Sequence, residues 1–481
     1  NGILTLSDTA DGQLIDFRSA VTATTFTTTA NGYNLALTGG GTVGADTTFL
    51  HTGTLALGDD AGDTLIFAGG LDTTSGPSAV TLAGTVATTD TAMDLGAVTL
   101  GADGTLRSGS GTITVDSVDG GSTHGLTLQA DTVDSTGSVT ITGDLTAQSL
   151  TTFDTDASYA LSLNGGGTIA AATTLRSSAL TLGNEATDTF DFVGGVSTST
   201  KTSNFINLAG TVRTDGQPIT LGDADSFLYL RGDTVLTTGT GGGTITLNGA
   251  ANHGHELTIS AGTGDIVFTT ATGETAPLAG LTASGATLTL QDVTTTGAQS
   301  FTATTGITTQ STYTSSGADI TFTGPVTAGE ALVVNTGVGS AGDITFNGTL
   351  DSATGEDNAL TLTAGSGDLL FADNLGSTES LGAVQVKEAA GVTFEGQLVA
   401  ASFTQQAGNG TTTFEGALEL GGDFAFTGNH LTLEGSGNEV EGDGSGEAFT
   451  VTNAGTFTLG NSADLTVGGA FHQNGAGASV L

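Results

Sequence analysis

The chain has 481 residues with 78 glycines, four prolines, no cysteine and no tryptophan, and its formal net charge is -42. Glycine without a Gly-X-Y period excludes collagen, the 37% hydrophobic share argues against an acidic disordered chain, and the missing cysteines exclude a disulfide framework. Only seven basic residues oppose 49 acidic ones, so neither nucleic acid nor an anionic membrane surface is expected as a partner. No apolar run reaches the ~20 residues of a membrane span, so we expect no membrane insertion in this segment.

A copied block dominates the first half of the chain. Tyr33–Val43 and Tyr159–Ile169 share the pattern Tyr-x-Leu-x-Leu-x-Gly-Gly-Gly-Thr. The match extends over residues 33–86 and 159–212, so several consecutive structural units have been duplicated together.

The second half repeats a shorter unit, a glycine-rich turn followed by alternating apolar and polar residues. From residue 243 onward these units begin mostly about 20–25 residues apart, which is the length of one coil of a β-solenoid. Residues 243–301 and 342–403 form a second duplication. The unit occurs in the first half at Gly111–Val115 and in the second half at Gly243–Leu247, Gly264–Phe268, Ala318–Phe322, Gly342–Phe346, Gly367–Phe371 and Gly391–Phe394.

These patterns predict an all-β fold, an elongated parallel β-helix with about 20–25 residues per coil that is continuous over residues 1–481. Apolar residues two positions apart line one face of a strand, so we expect the core to contain Ile266, Phe268, Ile344, Phe346, Leu369 and Phe371. No helical period of useful length is present. A β-sandwich is the structural rival, but Asn-Gly and Asp-Gly hairpin signals do not recur at fixed phase.

The Gly-Asp-Ile-Thr-Phe-type coils, with Gly421–Phe426 and Gly468–Leu481, resemble the filamentous-haemagglutinin-like β-helical surface and biofilm-matrix adhesins of bacteria. The resemblance is spread over nearly the whole chain. It implies a right-handed β-helix, secretion and a place at the cell surface. The Asn-Pro-Asn motifs of that family's secretion domain do not occur in this sequence.

Acidic loops are weak candidates for calcium, a cation that prefers oxygen ligands, and no other cofactor is expected. Neither EF-hand spacing nor the Gly-Gly-x-Gly-x-Asp nonapeptide array is present, and a solvated turn capped by its own carboxylates is the simpler interpretation. The candidates are Asp59, Asp60 and Asp63, the duplicated Asn184, Glu185 and Asp188, and the run Glu434, Glu439, Glu441, Asp443 and Glu447.

Two short motifs are candidates for binding, one for cell-surface receptors and one for a metal ion. Arg231-Gly232-Asp233 is a weak adhesion motif of the kind that integrins bind, expected at a coil corner after Phe227–Leu230, although Gly-Asp is also common in turns. His253 and His255 are two metal-type ligands without a third partner, so an exposed loop is the better interpretation.

Taken together, the sequence predicts an extracellular structural or adhesive rod of a large bacterial surface or biofilm-matrix adhesin. Expected partners are polysaccharide or cell-surface ligands, or copies of the chain itself. The alternative is a subunit that polymerises end to end into a filament, sheath or surface layer, since neither end of the sequence has a polar cap.

Two other functions are less favoured. A polysaccharide-degrading β-helix enzyme needs facing carboxylates or a basic catalytic residue, whereas the few basic residues are scattered and no catalytic motif is found. An ice-binding solenoid needs Thr-x-Thr rows at constant phase, which the sequence does not reveal.

Overall fold

The computed structural model describes residues 2–7, 10–129, 136–152, 159–198, 205–223, 225–441 and 446–480. In these ranges the chain is all-β and forms about 21 stacked turns of about 22 residues joined in parallel sheets, which confirms the predicted β-solenoid. No helix in the described ranges is long and apolar enough to cross a membrane. Two compact units are distinguished, unit 1 (Asn1–Gly249) and unit 2 (Ala250–Leu481).

Unit 1 consists of short strands, most of three or four residues. The strands described are β1 Ile3–Leu6, β2 Leu14–Phe17, β3 Val21–Ala23, β4 Thr25–Thr28, β5 Asn34–Leu37, β6 Gly41–Val43, β7 Thr47–Thr48, β8 Thr54–Leu57, β9 Thr64–Phe67, β10 Leu71–Asp72, β11 Ala79–Thr88, β12 Met93–Arg107, β13 Ile113–Asp119, β14 Leu126–Leu128, β15 Ser138–Ile141, β16 Leu145–Thr146, β17 Leu150–Thr152, β18 Ala160–Leu163, β19 Gly166–Ile169, β20 Thr173–Leu175, β21 Ala179–Leu182, β22 Thr189–Phe192, β23 Val196–Thr198, β24 Phe205–Arg213, β25 Ile219–Leu221, β26 Phe227–Thr237 and β27 Ile245–Leu247.

Unit 2 is built in the same way. Its described strands are β28 Ala250–Asn252, β29 Glu256–Ser260, β30 Ile266–Phe268, β31 Gly280–Thr289, β32 Val293–Thr294, β33 Gln299–Thr309, β34 Thr312–Thr314, β35 Ile320–Thr323, β36 Val326–Ala328, β37 Leu332–Asn335, β38 Ile344–Phe346, β39 Leu350–Ser352, β40 Leu360–Thr363, β41 Leu369–Phe371, β42 Leu381–Glu388, β43 Val392–Phe394, β44 Leu398–Gln405, β45 Thr411–Phe414, β46 Leu418–Leu420, β47 Phe424–Gly428, β48 His430–Leu433, β49 Asn438–Val440, β50 Phe449–Asn453, β51 Thr456–Leu459, β52 Leu465–Val467, β53 Phe471–Gln473 and β54 Ala478–Val480.

The core of unit 1 is a set of columns in which equivalent residues of successive turns lie side by side. Leu35 pairs with Leu55 in the next turn, Leu55 with Val80, and Val80 with Val98, all in parallel register. All four side chains are buried. Each such side chain contributes about 1.5–3 kcal/mol through burial, and it obtains that burial only when a neighbouring turn covers it.

The core of unit 2 contains a ladder of stacked phenylalanines, which we call the phenylalanine ladder. Neighbouring rings have centroids between 4.6 and 5.3 Å apart and lie within 24° of parallel. The six residues predicted for the core are all at most 1% exposed, so that prediction is confirmed. The ladder consists of Phe301, Phe322, Phe346, Phe371, Phe394 and Phe414.

The aspartate of the repeated Gly-Asp-Ile-Thr-Phe unit connects one turn to the next. The backbone N–H of Asp343 donates to Oδ1 of Asp319 at 2.9 Å, and the N–H of Asp368 donates to Oδ1 of Asp343 at 2.8 Å. Gly391 continues the series by donating to Asp368 at 2.8 Å. These carboxylates therefore satisfy backbone donors at the ends of strands, where the ladder of the sheet does not reach.

Hydroxyl side chains form a regular outward column on unit 2, a regularity that the sequence analysis missed. Nine of ten successive positions carry threonine or serine, and only Leu370 interrupts the column. A second hydroxyl row accompanies it through four turns, from Ser260 to Thr323, and then ends at Asn347. The column consists of Thr258, Thr282, Ser300, Thr321, Thr345, Leu370, Thr393, Thr413, Thr432 and Thr458.

Candidate functional site

The loop after β8 brings together the carboxylates of Asp59, Asp60 and Asp63. Their ligand oxygens lie within 4.8 Å of one another, the one group of this kind among the residues that the structure describes. Oδ2 of Asp63 accepts backbone hydrogen bonds from the N–H groups of Asp59 at 2.8 Å and Asp60 at 3.2 Å. Oδ1 of Asp60 accepts another from Gly62 at 2.7 Å. The carboxylates of Asp60 and Asp63 therefore cap the backbone of their own loop.

The electrostatics of this loop follow from those hydrogen bonds. The backbone N–H of Asp59 lowers the pKa of Asp63, because a hydrogen bond to the carboxylate favours its charged form. Partial desolvation, followed by the neighbouring Asp63 carboxyl, raises the pKa of Asp59. The stabilisation supplied by ionised Asp63 is present above the ordinary carboxyl pKa and is lost as the pH falls through the lowered value.

The duplicated loop repeats the capping geometry with a different set of side chains. Oδ2 of Asp188 accepts from the N–H groups of Asn184 at 2.8 Å and Glu185 at 3.0 Å. Asn184 stands where the first loop has Asp59, so the copied loop keeps the capping aspartate but has one acidic residue fewer. The shared feature of the two loops is therefore the turn. Calcium binding by either loop stays a prediction.

The Arg231-Gly232-Asp233 tripeptide lies within strand β26, at an irregularity in its pairing with β24. Leu230 pairs with Leu208 and Thr234 pairs with Gly210, so the three residues stand opposite the single Ala209. Arg231 and Asp233 are exposed on this outward bulge.

An equivalent bulge is formed by Gly101–Asp103, which stands opposite the single Ala83, the counterpart of Ala209 in the duplicated block. Its sequence there is Gly-Ala-Asp, so an arginine is not needed to form the bulge. The adhesion motif stays a prediction that rests on the tripeptide alone.

Within the described ranges, the remaining acidic and histidine candidates form no group of three whose ligand atoms lie close together. Glu439 lies in β49 opposite Glu419 of β46, and Glu441 joins both on the wall of a surface groove of ≈ 380 Å³. Asp443 lies outside the described residues. His253 has a φ of 84°, and its carbonyl accepts from the N–H of His255 at 2.8 Å, so this pair shapes a tight turn.

An exposed group of aromatic rings on unit 1 is the feature that the sequence analysis missed. We call Phe205, Phe227 and Tyr229 the aromatic patch. Phe205 is 46% exposed and Phe227 is 37% exposed, and the three ring centroids lie 5.4 to 6.2 Å apart. Arg231 places its guanidinium 5.5 Å from the centre of the Tyr229 ring. The alternation of side chains along a strand could have revealed the exposure of these rings. Ile206 and Leu228 face inward, so Phe205 and Phe227, which precede them, must face outward.

Comparison with protein-family models, curated proteins and solved structures finds no match. The argument for a function therefore rests on the geometry of the turns and of their outer surface.

Proposed function

We propose that this chain is a non-enzymatic structural and adhesive segment of an extracellular bacterial surface or biofilm-matrix protein. The observation that carries the proposal is the repetition of one buried column from turn to turn, as in the phenylalanine ladder of unit 2. Such a core is extended by adding further turns of the same kind, and each added turn presents more outer surface. This architecture suits a scaffold whose flank binds other molecules.

The composition supports an extracellular setting for the scaffold. No cysteine is present to be oxidised, and the charge of -42 keeps the chain soluble at high local concentration. The carboxylates of Asp63 and Asp343 accept backbone hydrogen bonds and hold turns. A scaffold and adhesive role uses all of these features.

Labelling of the source cells tests the location. Antibodies raised against the purified chain are expected to bind intact cells and their extracellular matrix. Labelling that appears only after the cells are permeabilised would overturn the extracellular proposal.

Incubation of the bead-coupled chain with polysaccharides tests the adhesive role against the enzymatic one. Retention of polysaccharide without new reducing or unsaturated ends is the expected result. Release of such ends would show a degrading enzyme instead. Light scattering at increasing protein concentration, run alongside, reports the alternative of self-polymerisation.

A further inference from the structure

The aromatic patch stands at the end of a shallow shelf formed by small outward residues of the preceding turns. Ala160 pairs with Ala179, and the register that places Leu180 beside Ile206 places Ala179 beside Phe205. The column therefore changes from alanine to phenylalanine between one turn and the next. Because a phenyl ring projects further from the strand than a methyl group, Phe205 stands above the surface formed by Ala160 and Ala179 and forms the wall of the shelf.

A row of hydrogen-bonding side chains runs beside this column. Ser162 pairs with Thr181, Thr181 with Asn207, and Asn207 with Tyr229. The Nε–H of Arg231 donates to Oδ1 of Asn207 at 2.8 Å, which orients both side chains next to the Tyr229 ring. Hydroxyl, amide and guanidinium groups thus border an aromatic and aliphatic surface.

We propose that this shelf, with the aromatic patch as its wall, binds a neutral polysaccharide; the inference rests on the adhesive function proposed above. A pyranose ring has an apolar face of C–H groups, which packs against the electron-rich face of an aromatic ring, and a rim of hydroxyls, which need hydrogen-bonding partners. Both kinds of partner lie side by side here. Neighbouring turns are about 4.8 Å apart, close to the length of one sugar unit in an extended chain, so a polysaccharide crossing the strands meets equivalent positions in successive turns.

The size and charge of the surface favour this occupant over a macromolecule of another class. A specific protein partner needs about 800 Å² on each side, whereas one aromatic side chain contributes at most about 150–250 Å². Three partly exposed rings fall well short of that area. The charge of -42 opposes nucleic acid and acidic polysaccharides alike, and the aromatic and hydrogen-bonding groups of the shelf suit an uncharged glycan.

The test compares the full chain with the double variant Phe205→Ser/Phe227→Ser in affinity electrophoresis. The probes are a soluble mannan, a soluble glucan and, as the acidic comparator, polygalacturonate. We expect the unaltered chain to bind at least one neutral probe and the double variant to bind it about tenfold or more weakly, since two aromatic contacts are lost. Leu50→Ser is the control, because Leu50 is also an apolar residue of unit 1, is 42% exposed and lies outside the shelf.

The outcomes separate this inference from the function on which it rests. Equal binding by the double variant and the unaltered chain would overturn the shelf as the site and leave the adhesive function standing. Binding of polygalacturonate alone would overturn the neutral ligand. No glycan binding by the unaltered chain would overturn the inference, and the cell-labelling experiment would then judge the extracellular role independently. Circular dichroism melting must show that both variants keep the fold. Asn207→Ala removes only a polar group at the border of the shelf, so it supplies a second and milder test of binding.

Discussion

Replacement of Phe346 by alanine measures how much one rung of the phenylalanine ladder contributes. Phe346 is fully buried, and its ring centroid lies 4.9 Å from that of Phe322 and 5.3 Å from that of Phe371. Truncation of a buried phenylalanine costs about 3–5 kcal/mol through lost transfer free energy and the cavity left behind. Loss of two stacked pairs places Phe346→Ala in the upper part of that range, about 4–5 kcal/mol.

The location of the effect is as informative as its size. Turns of a solenoid contact only their neighbours, so the destabilisation should be greatest in β35, β38 and β41 and should fade in more distant turns. Hydrogen exchange followed by mass spectrometry resolves this, and a loss of about 4 kcal/mol corresponds to roughly a thousandfold faster exchange of the amides that open locally.

Thr345→Ala is the matched control, because Thr345 is the outward neighbour on the same strand. A substitution at such a surface position should change stability by no more than about 0.5 kcal/mol. The reasoning would be refuted if Phe346→Ala exchanged like the control. Uniform loss of protection throughout unit 2 would instead refute the nearest-neighbour account of its stability.

Three further predictions follow from hydrogen bonds, burial and backbone geometry. Asp343→Ala should destabilise its turn by about 1–2 kcal/mol, because the N–H of Asp368 loses its acceptor, whereas Asp343→Asn keeps an acceptor oxygen and should cost less in denaturant titration. His51 is buried and its pKa is lowered by desolvation, so the chain should lose stability as the pH falls below about 6.5, and thermal melts of His51→Leu between pH 7.5 and 5.5 should show a flatter dependence. Gly210 has a φ of 76°, and a Cβ there would meet the carbonyl oxygen of Asp188. Gly210→Ala should therefore destabilise the chain by more than the roughly 1–2 kcal/mol that left-handed strain alone costs, and its melting temperature should fall accordingly. An unchanged melting temperature would contradict this geometry.

The period of the sequence was sufficient to predict the fold. Glycine-rich turns about one coil apart, each followed by residues such as Ile344 and Phe346, favour an arrangement in which these inward side chains are buried and their strands are paired. Those inward residues are identified by alternation alone, because a strand has only two faces. The capping role of Asp63 is predictable for the same local reason, since it accepts from backbone N–H groups only three and four residues away.

Only the tertiary structure decided which residues of different turns lie side by side. Turn lengths vary, so the sequence distance from Thr321 to Thr345 differs from that between Thr393 and Thr413, and the hydroxyl column has no constant spacing along the chain. The aromatic patch was hidden in the same way, because Phe205 and Phe227 become neighbours only when parallel register aligns β24 with β26. Alternation within one strand fixes which side chains face outward, whereas the register between strands, set by all the turns together, fixes what surface they make.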